Sequence, residues 1–494
     1  MSISKDLEKN TQLLKDIFKD CSDIVFRNFH IGKDGEVALL FVYVDGLIDK
    51  AVLSESVLGS LSDEKDIEMP IGENLKSHIF SIIANEGISL SEINEEEEME
   101  KVIDAILSGE TALLINGIEK AIILSTRGWN TRSVDEPETE TVVRGPREGF
   151  TETLRINTSL VRRRIKDPKL KLKVVEIGRR SKTSVGIMYI EDIVQEGLVE
   201  EVNNRLDKVD IDAILDSTML ENLIEDNYLS PFPQIENTER PDSVAASLCE
   251  GRVALLVDNS PFALIMPATI GTLMQSSEDY YSRWAITSTV RLIRYIAAFI
   301  ALFAPALYIA ITSFHPGLLP TRLAYYVAAT RVNVPFPAFL EAFLMELTIE
   351  LLRESGTRIA GPIGTTIGIV GGLIIGQAAV DAGIVSPLMI IIVAVTTIAS
   401  FTLPSYDLAT GLRLYRFILM ACAGILGLYG IMLGFLVMLT HLVKLNSFGI
   451  PFTSPYSGLG LEEGDLRDTI IKAPIQDLKK RPAFTFPKNK RRLR

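Results

Sequence analysis

The chain is poor in the residues that carry most chemistry. It has 494 residues but only three cysteines, four histidines and two tryptophans. Cys21, Cys249 and Cys422 lie far apart in sequence and show no metal-type spacing, so no disulfide framework or cysteine metal cluster is expected. His30, His78, His315 and His441 are isolated, so no histidine site for metal or base chemistry is expected. There is no Gly-rich phosphate loop ending in Gly-Lys-Ser/Thr and no His-Glu-x-x-His. The glycines of "EIGRRSKTSVG" are wrongly spaced for a dinucleotide. No enzymatic activity, cofactor or metal is expected. The formal net charge of -13 argues against a general nucleic-acid binder. The first twenty residues contain no apolar run, so no cleaved signal peptide is expected.

What the chain does have is apolar sequence, unevenly spread. Its mean hydropathy is +0.24. Charges are dense to about residue 294, nearly absent across 359–444, then dense again. At this length more than one domain is expected. The pattern predicts a multidomain chain: an N-terminal α/β soluble region of two related subdomains, an α-helical polytopic membrane domain, and a short basic C-terminal tail. The expected boundaries are 1–140 and 165–280 for the subdomains and 141–164 for a charged linker. The membrane domain is expected over 281–445 and the tail over 446–494.

A bilayer core of about 30 Å needs roughly 20 apolar residues in a helix. Four stretches meet that length: about 292–314 with Pro305 inside, 361–380, 384–403 and 417–442. Arg283, Arg291 and Arg294 precede or open the first. The terminal "KKRPAFTFPKNKRRLR" has eight basic residues and no acid. The positive-inside rule therefore places both ends on the cytoplasmic side, which requires an even number of crossings. Arg413 and Arg416 fall on the wrong side in that scheme.

Three features of the membrane half and its approach are candidate sites. The helix expected over 337–355 is apolar but carries Glu341, Glu346, Glu350 and Glu354. The last three share a face, which is costly in lipid. Copies of this helix around an axis could ring a pore mouth with carboxylates, as cation pathways do. The alternative is an interfacial helix with that face in water. Glu341 lies on the opposite, apolar side and needs a partner such as Arg322 or Arg331. The second feature is Gly364, Gly368, Gly372 and Gly376, a stripe that permits close helix approach, within one subunit, between subunits or along a pore. The third is Arg144 to Lys182, with 13 Lys/Arg against four Asp/Glu. Arg162, Arg163, Arg164, Arg179 and Arg180 are its candidates for contact with lipid headgroups or a partner subunit.

The front half contains a repeat. "GETALLINGIEKAIIL" from Gly109 matches "GRVALLVDNSPFALIM" from Gly251 at a constant offset of 142. Each reads as a β-hairpin. "FVYVDGLI" (41–48) pairs with "IMYIEDIV" (187–194) at an offset of 146. Strands alternate with helix-like stretches such as "LKSHIFSIIAN" and "DIVQEGLVEEVNNRLDKV".

The segment from "NGIEKAIILSTRGWN" through "VRGPREGF" to "LVRRRIKDPKLKLK" resembles the A subunit of GerA-type spore germinant receptors. "MELTIELLRESGTRIAGPIGTTIGIVGGLIIGQAAVDAGIVSP" and "RPAFTFPKNKRRLR" resemble the same family. The resemblance spans nearly the whole chain. It implies a protein of the spore inner membrane that acts with a transporter-like, nutrient-binding B subunit and a lipoprotein C subunit. It also implies a homo-oligomer, a pentamer, forming a nutrient-gated channel whose opening releases monovalent cations. A related branch of the family acts in release of dipicolinic acid. Two alternatives stay open on the residues alone: a secondary transporter subunit and a non-conducting membrane scaffold.

Overall fold

The structure, a computed structural model, describes residues 2–31, 37–53, 93–128, 136–137, 139–358, 375–457 and 465–493. The expected helix at 75–85 and most of the expected span at 361–380 lie outside the described residues. The chain divides into two compact units. Unit 1 comprises Met1–Glu225, Ile235–Pro267 and Lys479–Arg494; unit 2 comprises Asp226–Gln234 and Ala268–Leu478.

Unit 1 contains two five-stranded sheets. The first subdomain runs α1 (Leu7–Ile17), β1 (Ile24–Ile31), β2 (Val37–Val44), β3 (Ile93–Glu96), α2 (Met99–Leu107), β4 (Thr111–Ile115) and β5 (Ala121–Leu124). The second runs α3 (Leu154–Arg162), β6 (Leu170–Ile177), β7 (Thr183–Ile190), α4 (Leu198–Asp207), α5 (Ser217–Ile224), β8 (Glu236–Thr238), α6 (Pro241–Cys249), β9 (Val253–Val257) and β10 (Ala263–Met266). The strand orders are β1-β2-β4-β5-β3 and β6-β7-β9-β10-β8. These are the same order, and every neighbouring pair is antiparallel. The repeat seen in the sequence is therefore a repeat of whole sheets. Its shared glycine has a structural cause. Gly109 and Gly251 follow α2 and α6, with φ of 90° and 94°. A residue in that left-handed conformation ends a helix, and only glycine adopts it without strain.

Alternation along β2 buries both faces of the first sheet. Leu40, Val42 and Val44 pack with Leu14 of α1 and Val102 and Ile106 of α2. Leu39, Phe41 and Tyr43 pack in a second cluster with Ile48 and Leu53. In the second sheet, Leu172, Met188, Ala254 and Leu256 pack against Val161 of α3 and Val244 and Leu248 of α6. The stretch expected as a linker, 141–164, holds α3 at its end and is pinned before it. Arg240 is buried and donates to Glu140 O at 3.0 Å and Pro146 O at 2.7 Å. Phe150 N donates to Glu239 O at 2.8 Å.

Unit 2 is helical: α7 (Trp284–Ser313), α8 (Thr321–Arg331), α9 (Ala338–Arg358), α10 (Pro387–Phe401), α11 (Tyr406–Leu426) and α12 (Leu428–Lys444). Its core joins Leu302 and Ile309 of α7, Ala342 and Met345 of α9, Met389 and Val393 of α10, Leu419 and Ala423 of α11, and Ile431 and Met438 of α12. Two of the described helices, α7 and α11, are long and apolar enough to cross a membrane. Helices α10 and α12 are apolar and shorter. The helix α7 continues through Pro305.

One expected span is corrected. The apolar run 417–442 is two helices rather than one. Gly427, with φ of 62°, separates α11 from α12. The helices turn back on each other, so that Gly434 faces Leu419 and Tyr415 lies 6.4 Å from His441, ring to ring. A Cβ on Gly430 would sit 2.0 Å from Cys422 O. The run is uniformly apolar, so its hydropathy does not reveal the turn.

Candidate functional site

Among the described residues the helical unit has three buried clusters of charge, and two of them involve the acidic helix α9. Its first acid, Glu341, is 1% exposed. Glu341 Oε1 accepts from Ser386 N at 2.7 Å and Ser386 Oγ at 2.5 Å. Ser386 is also the N-cap of α10, accepting from Met389 N at 3.3 Å. The carboxylate therefore sits at a helix N-terminus, where backbone N–H groups favour negative charge. Arg331 Nη2 is 3.4 Å from Glu341 Oε2, and Tyr308 Oη is 3.1 Å from Ser386 Oγ. One buried acid thus joins residues of α7, α8, α9 and the start of α10. Of the two partners the sequence offered for Glu341, the structure places Arg331.

Glu346 and Glu350 face α11. Glu346 Oε2 is 2.9 Å from Arg416 Nη2, with both side chains at most 1% exposed. Glu350 is partly buried, 2.8 Å from Arg353 Nη2 and 3.7 Å from Arg413 Nη1. Glu346–Arg416 and Glu350–Arg413 run in opposite directions along the two helices, so α9 and α11 are antiparallel rungs of one ladder. Glu354 is exposed. The four acids therefore have distinct environments: two fully buried, one half-buried, one at the surface. The ladder also explains Arg413 and Arg416, which sat on the wrong side of a span in the sequence. They are the countercharges of α9.

The third cluster lies where α7 begins. Asp279 Oδ2 accepts from Arg291 Nε at 2.9 Å and from Arg294 Nη1 at 2.7 Å. Asp468 Oδ1 is 3.3 Å from Arg291 Nη1. Of the arginines that orient the first span in the sequence, Arg291 and Arg294 are thus ion-paired and buried, while Arg283 is exposed.

Of the glycine stripe, Gly364, Gly368 and Gly372 lie outside the described residues. Gly376 is buried, and a Cβ there would meet Ile390 at 3.8 Å. The glycines seen in close helix contact are others: Gly424 beside Phe339, and Gly430 and Gly434 in the α11–α12 turn.

The five candidate arginines of unit 1 also divide. Arg162 is fully buried and holds Asp23 through Nε at 2.8 Å and Nη2 at 2.9 Å. Its Nη1 donates to Leu170 O at 2.8 Å. It ties the two subdomains together beside the paired segments Asp20–Ser22 and Leu172, and it does not reach the surface. Arg163 and Arg164 share Glu148. Arg179 pairs with Asp210, and Arg180 lies 3.8 Å from Asp212; both arginines are exposed.

Sequence reasoning missed Arg413, Arg416, Ser386 and Asp279 as members of these clusters. One signal was available. Glu346 and Glu350 are four residues apart and Arg413 and Arg416 three apart, so two neighbouring apolar helices carry complementary charges one turn apart.

The family model described as Bacillus/Clostridium GerA spore germination protein matches residues 12–484. Spore germination protein B1 of Bacillus subtilis (strain 168) is 43% identical over 495 residues, covering 100% of both chains. The uncharacterized membrane protein YfkQ of the same strain is 42% identical over 480 residues, covering 97% of this chain and 91% of its own. Among solved structures, the N-terminal domain of the A subunit of the Bacillus megaterium spore germinant receptor GerK3 aligns with a TM-score of 0.41. It is 32% identical and covers 55% of this chain and 98% of its own. The chain belongs to the GerA family of spore germination proteins.

Proposed function

We propose that this chain is the A subunit of a spore nutrient germinant receptor. In this reading it forms or gates an oligomeric cation channel in the spore inner membrane, in concert with a nutrient-binding B subunit and a lipoprotein C subunit. Family membership over nearly the full chain supports the receptor role. The observation that carries the gating role is the Glu346–Arg416 pair. Both side chains are fully buried among apolar helices. Desolvating two charges costs several kcal/mol, and an apolar pair of similar volume would hold the helices as well or better. A buried pair of this kind is useful where two arrangements of the helices must be told apart. In the paired arrangement α9 is locked to α11 and Glu346 is neutralised. Separation of the helices frees a carboxylate inside the bundle, which is the group a cation path requires.

The test is nutrient-triggered release of monovalent cations from spores carrying Glu346→Gln, Arg416→Gln or both, with the protein level in the spore membrane measured alongside. Each single change is expected to alter the release rate by about 5- to 100-fold at unchanged protein level. The double change is expected to recover part of that loss. Wild-type release from all three would remove Glu346 and Arg416 from the gate. Absence of a nutrient-dependent cation current from the reconstituted receptor would remove the channel reading itself.

A further inference from the structure

The C-terminal strap of unit 1 carries a surface that its docking leaves unused. Residues 479–493 lie along the second subdomain and are anchored at three points. Arg481 Nε donates to Cys249 O at 2.7 Å, Thr485 Oγ1 to Glu250 O at 2.7 Å, and Lys488 N to Ile193 O at 3.0 Å. Phe484, Thr485 and Pro487 are buried at these contacts. On either side of the anchors Lys479, Lys480, Lys490 and Arg491 are exposed, as is Lys488, whose backbone alone makes the third anchor. Among the described residues no carboxylate lies within salt-bridge distance of these five. Arg492 differs, lying 3.8 Å from Glu250. Phe486, 48% exposed, stands in the same strap. In a chain of net charge -13, the last sixteen residues contain no acid.

A fixed array of exposed lysines in an acidic protein attracts a surface of opposite charge. We propose that this basic strap docks on the anionic lipid headgroups of the membrane that the helical unit enters. Three observations favour a lipid surface over an acidic protein. Lysine is depleted from protein interfaces, whose centres are apolar and aromatic. A headgroup layer, by contrast, attracts clustered lysines without needing fixed pairing geometry, and one exposed aromatic among them fits the interface. The strap also follows directly on Leu478, the last residue of the unit that holds the membrane-length helices. The second subdomain is then tethered to the bilayer surface through residues that play no part in its own core. The proposal rests on the helical unit entering a membrane and not on channel activity.

The test uses the full chain in lipid nanodiscs. An environment-sensitive fluorophore is placed at Asn489→Cys, with Cys249→Ser and Cys422→Ser; the buried Cys21 is left in place. Discs of phosphatidylcholine alone are compared with discs of phosphatidylcholine mixed with phosphatidylglycerol. The label is expected to shift to shorter wavelength, and to be quenched by headgroup-labelled lipid, only in the anionic discs. Raising salt from 0.1 M to 1 M shortens the Debye length from about 10 Å to about 3 Å and is expected to abolish the shift. Replacing Lys479, Lys480, Lys488 and Lys490 by Gln is expected to abolish it too. Exchange protection of the residue 488 amide reports that the strap is still docked. The salt titration is made on the strap with all its lysines in place, so the proposal does not depend on the variant folding. Equal emission in both discs overturns the proposal, as does a response that appears only when an acidic partner protein is added. Failure of the chain to enter discs at all would instead defeat the membrane reading.

Discussion

At the scale of single residues, burial decides how each charge acts. Glu140 is the clearest case outside the helical unit. Its carboxylate accepts from Thr238 Oγ1 at 2.5 Å and Glu239 N at 3.1 Å. Burial nonetheless dominates and pushes its pKa up to about 7, with the nearby Glu236 adding to the rise. A carboxyl raised in the folded state holds its proton after the unfolded chain has released one. The stability it contributes is complete below the unfolded value near pH 4.5 and is lost as pH rises through about 7. Glu140→Gln should therefore remove a pH dependence worth about 3 kcal/mol between those limits. Hydrogen exchange of the Phe150 amide, which bonds to Glu239 O in the same clasp, measures it. An unchanged pH profile in the variant would assign the dependence elsewhere. The sequence assigned Glu140 no role beyond closing the first subdomain's expected range, because a clasp by Arg240, a hundred residues away, leaves no local trace. Arg162 misled in the same way. It looked like one of a basic run, yet its partner, Asp23, lies in the other subdomain. Glu341 was legible, because an acid on an apolar helix face demands a nearby cation and the chain offered few.

At the scale of elements, periodicity served well and turns served poorly. The hairpins β4–β5 and β9–β10 were plain from paired apolar runs about Asn116-Gly117 or Asp258–Pro261. The glycines of the repeat end helices α2 and α6, which a reading of strands alone did not require. The α11–α12 turn was invisible to hydropathy, yet "GLYGIMLG" holds its cause. Gly427 supplies the positive φ, and Gly430 and Gly434 let the second helix lie against the first. A methyl group on Gly430 would meet a backbone carbonyl at 2.0 Å, and backbone cannot step aside as a side chain can. Gly430→Ala should lower stability by about 2–3 kcal/mol, and Gly427→Ala by about 1–3 kcal/mol through its strained φ. Gly317 meets nothing within 4 Å, so Gly317→Ala should stay within about 0.5 kcal/mol of the parent. Thermal unfolding in detergent ranks the three. A Gly430→Ala protein as stable as Gly317→Ala would mean that the two helices do not touch at that point.

At the scale of the whole molecule, the informative fact is where the ends of the chain go. The sequence offered a positive-inside count for an even number of crossings, and that count was weakened by Arg413 and Arg416. The structure adds what charge counting lacks. Lys479–Arg494 belongs to the same compact unit as Met1–Glu225. A folded unit cannot be divided by a bilayer, because its internal hydrogen bonds would have to run through hydrocarbon. If helices of unit 2 cross a bilayer, this grouping requires an even number of crossings, with the front half and the tail on one side. Charge counting reached the same parity from the basic ends; the strap reaches it independently, through contacts such as Thr485 Oγ1 to Glu250 O. The shared side can be read by labelling. Val143, 89% exposed, and Asn489 are replaced singly by cysteine in the protein lacking Cys249 and Cys422. In sealed right-side-out vesicles a membrane-impermeant thiol reagent should leave both sites unlabelled, and detergent should expose both together. Labelling of both sites before detergent would keep the even count and invert the orientation drawn from the basic tail. Labelling of one site alone would break the even count. It would also separate the strap from the subdomain it is seen to clasp.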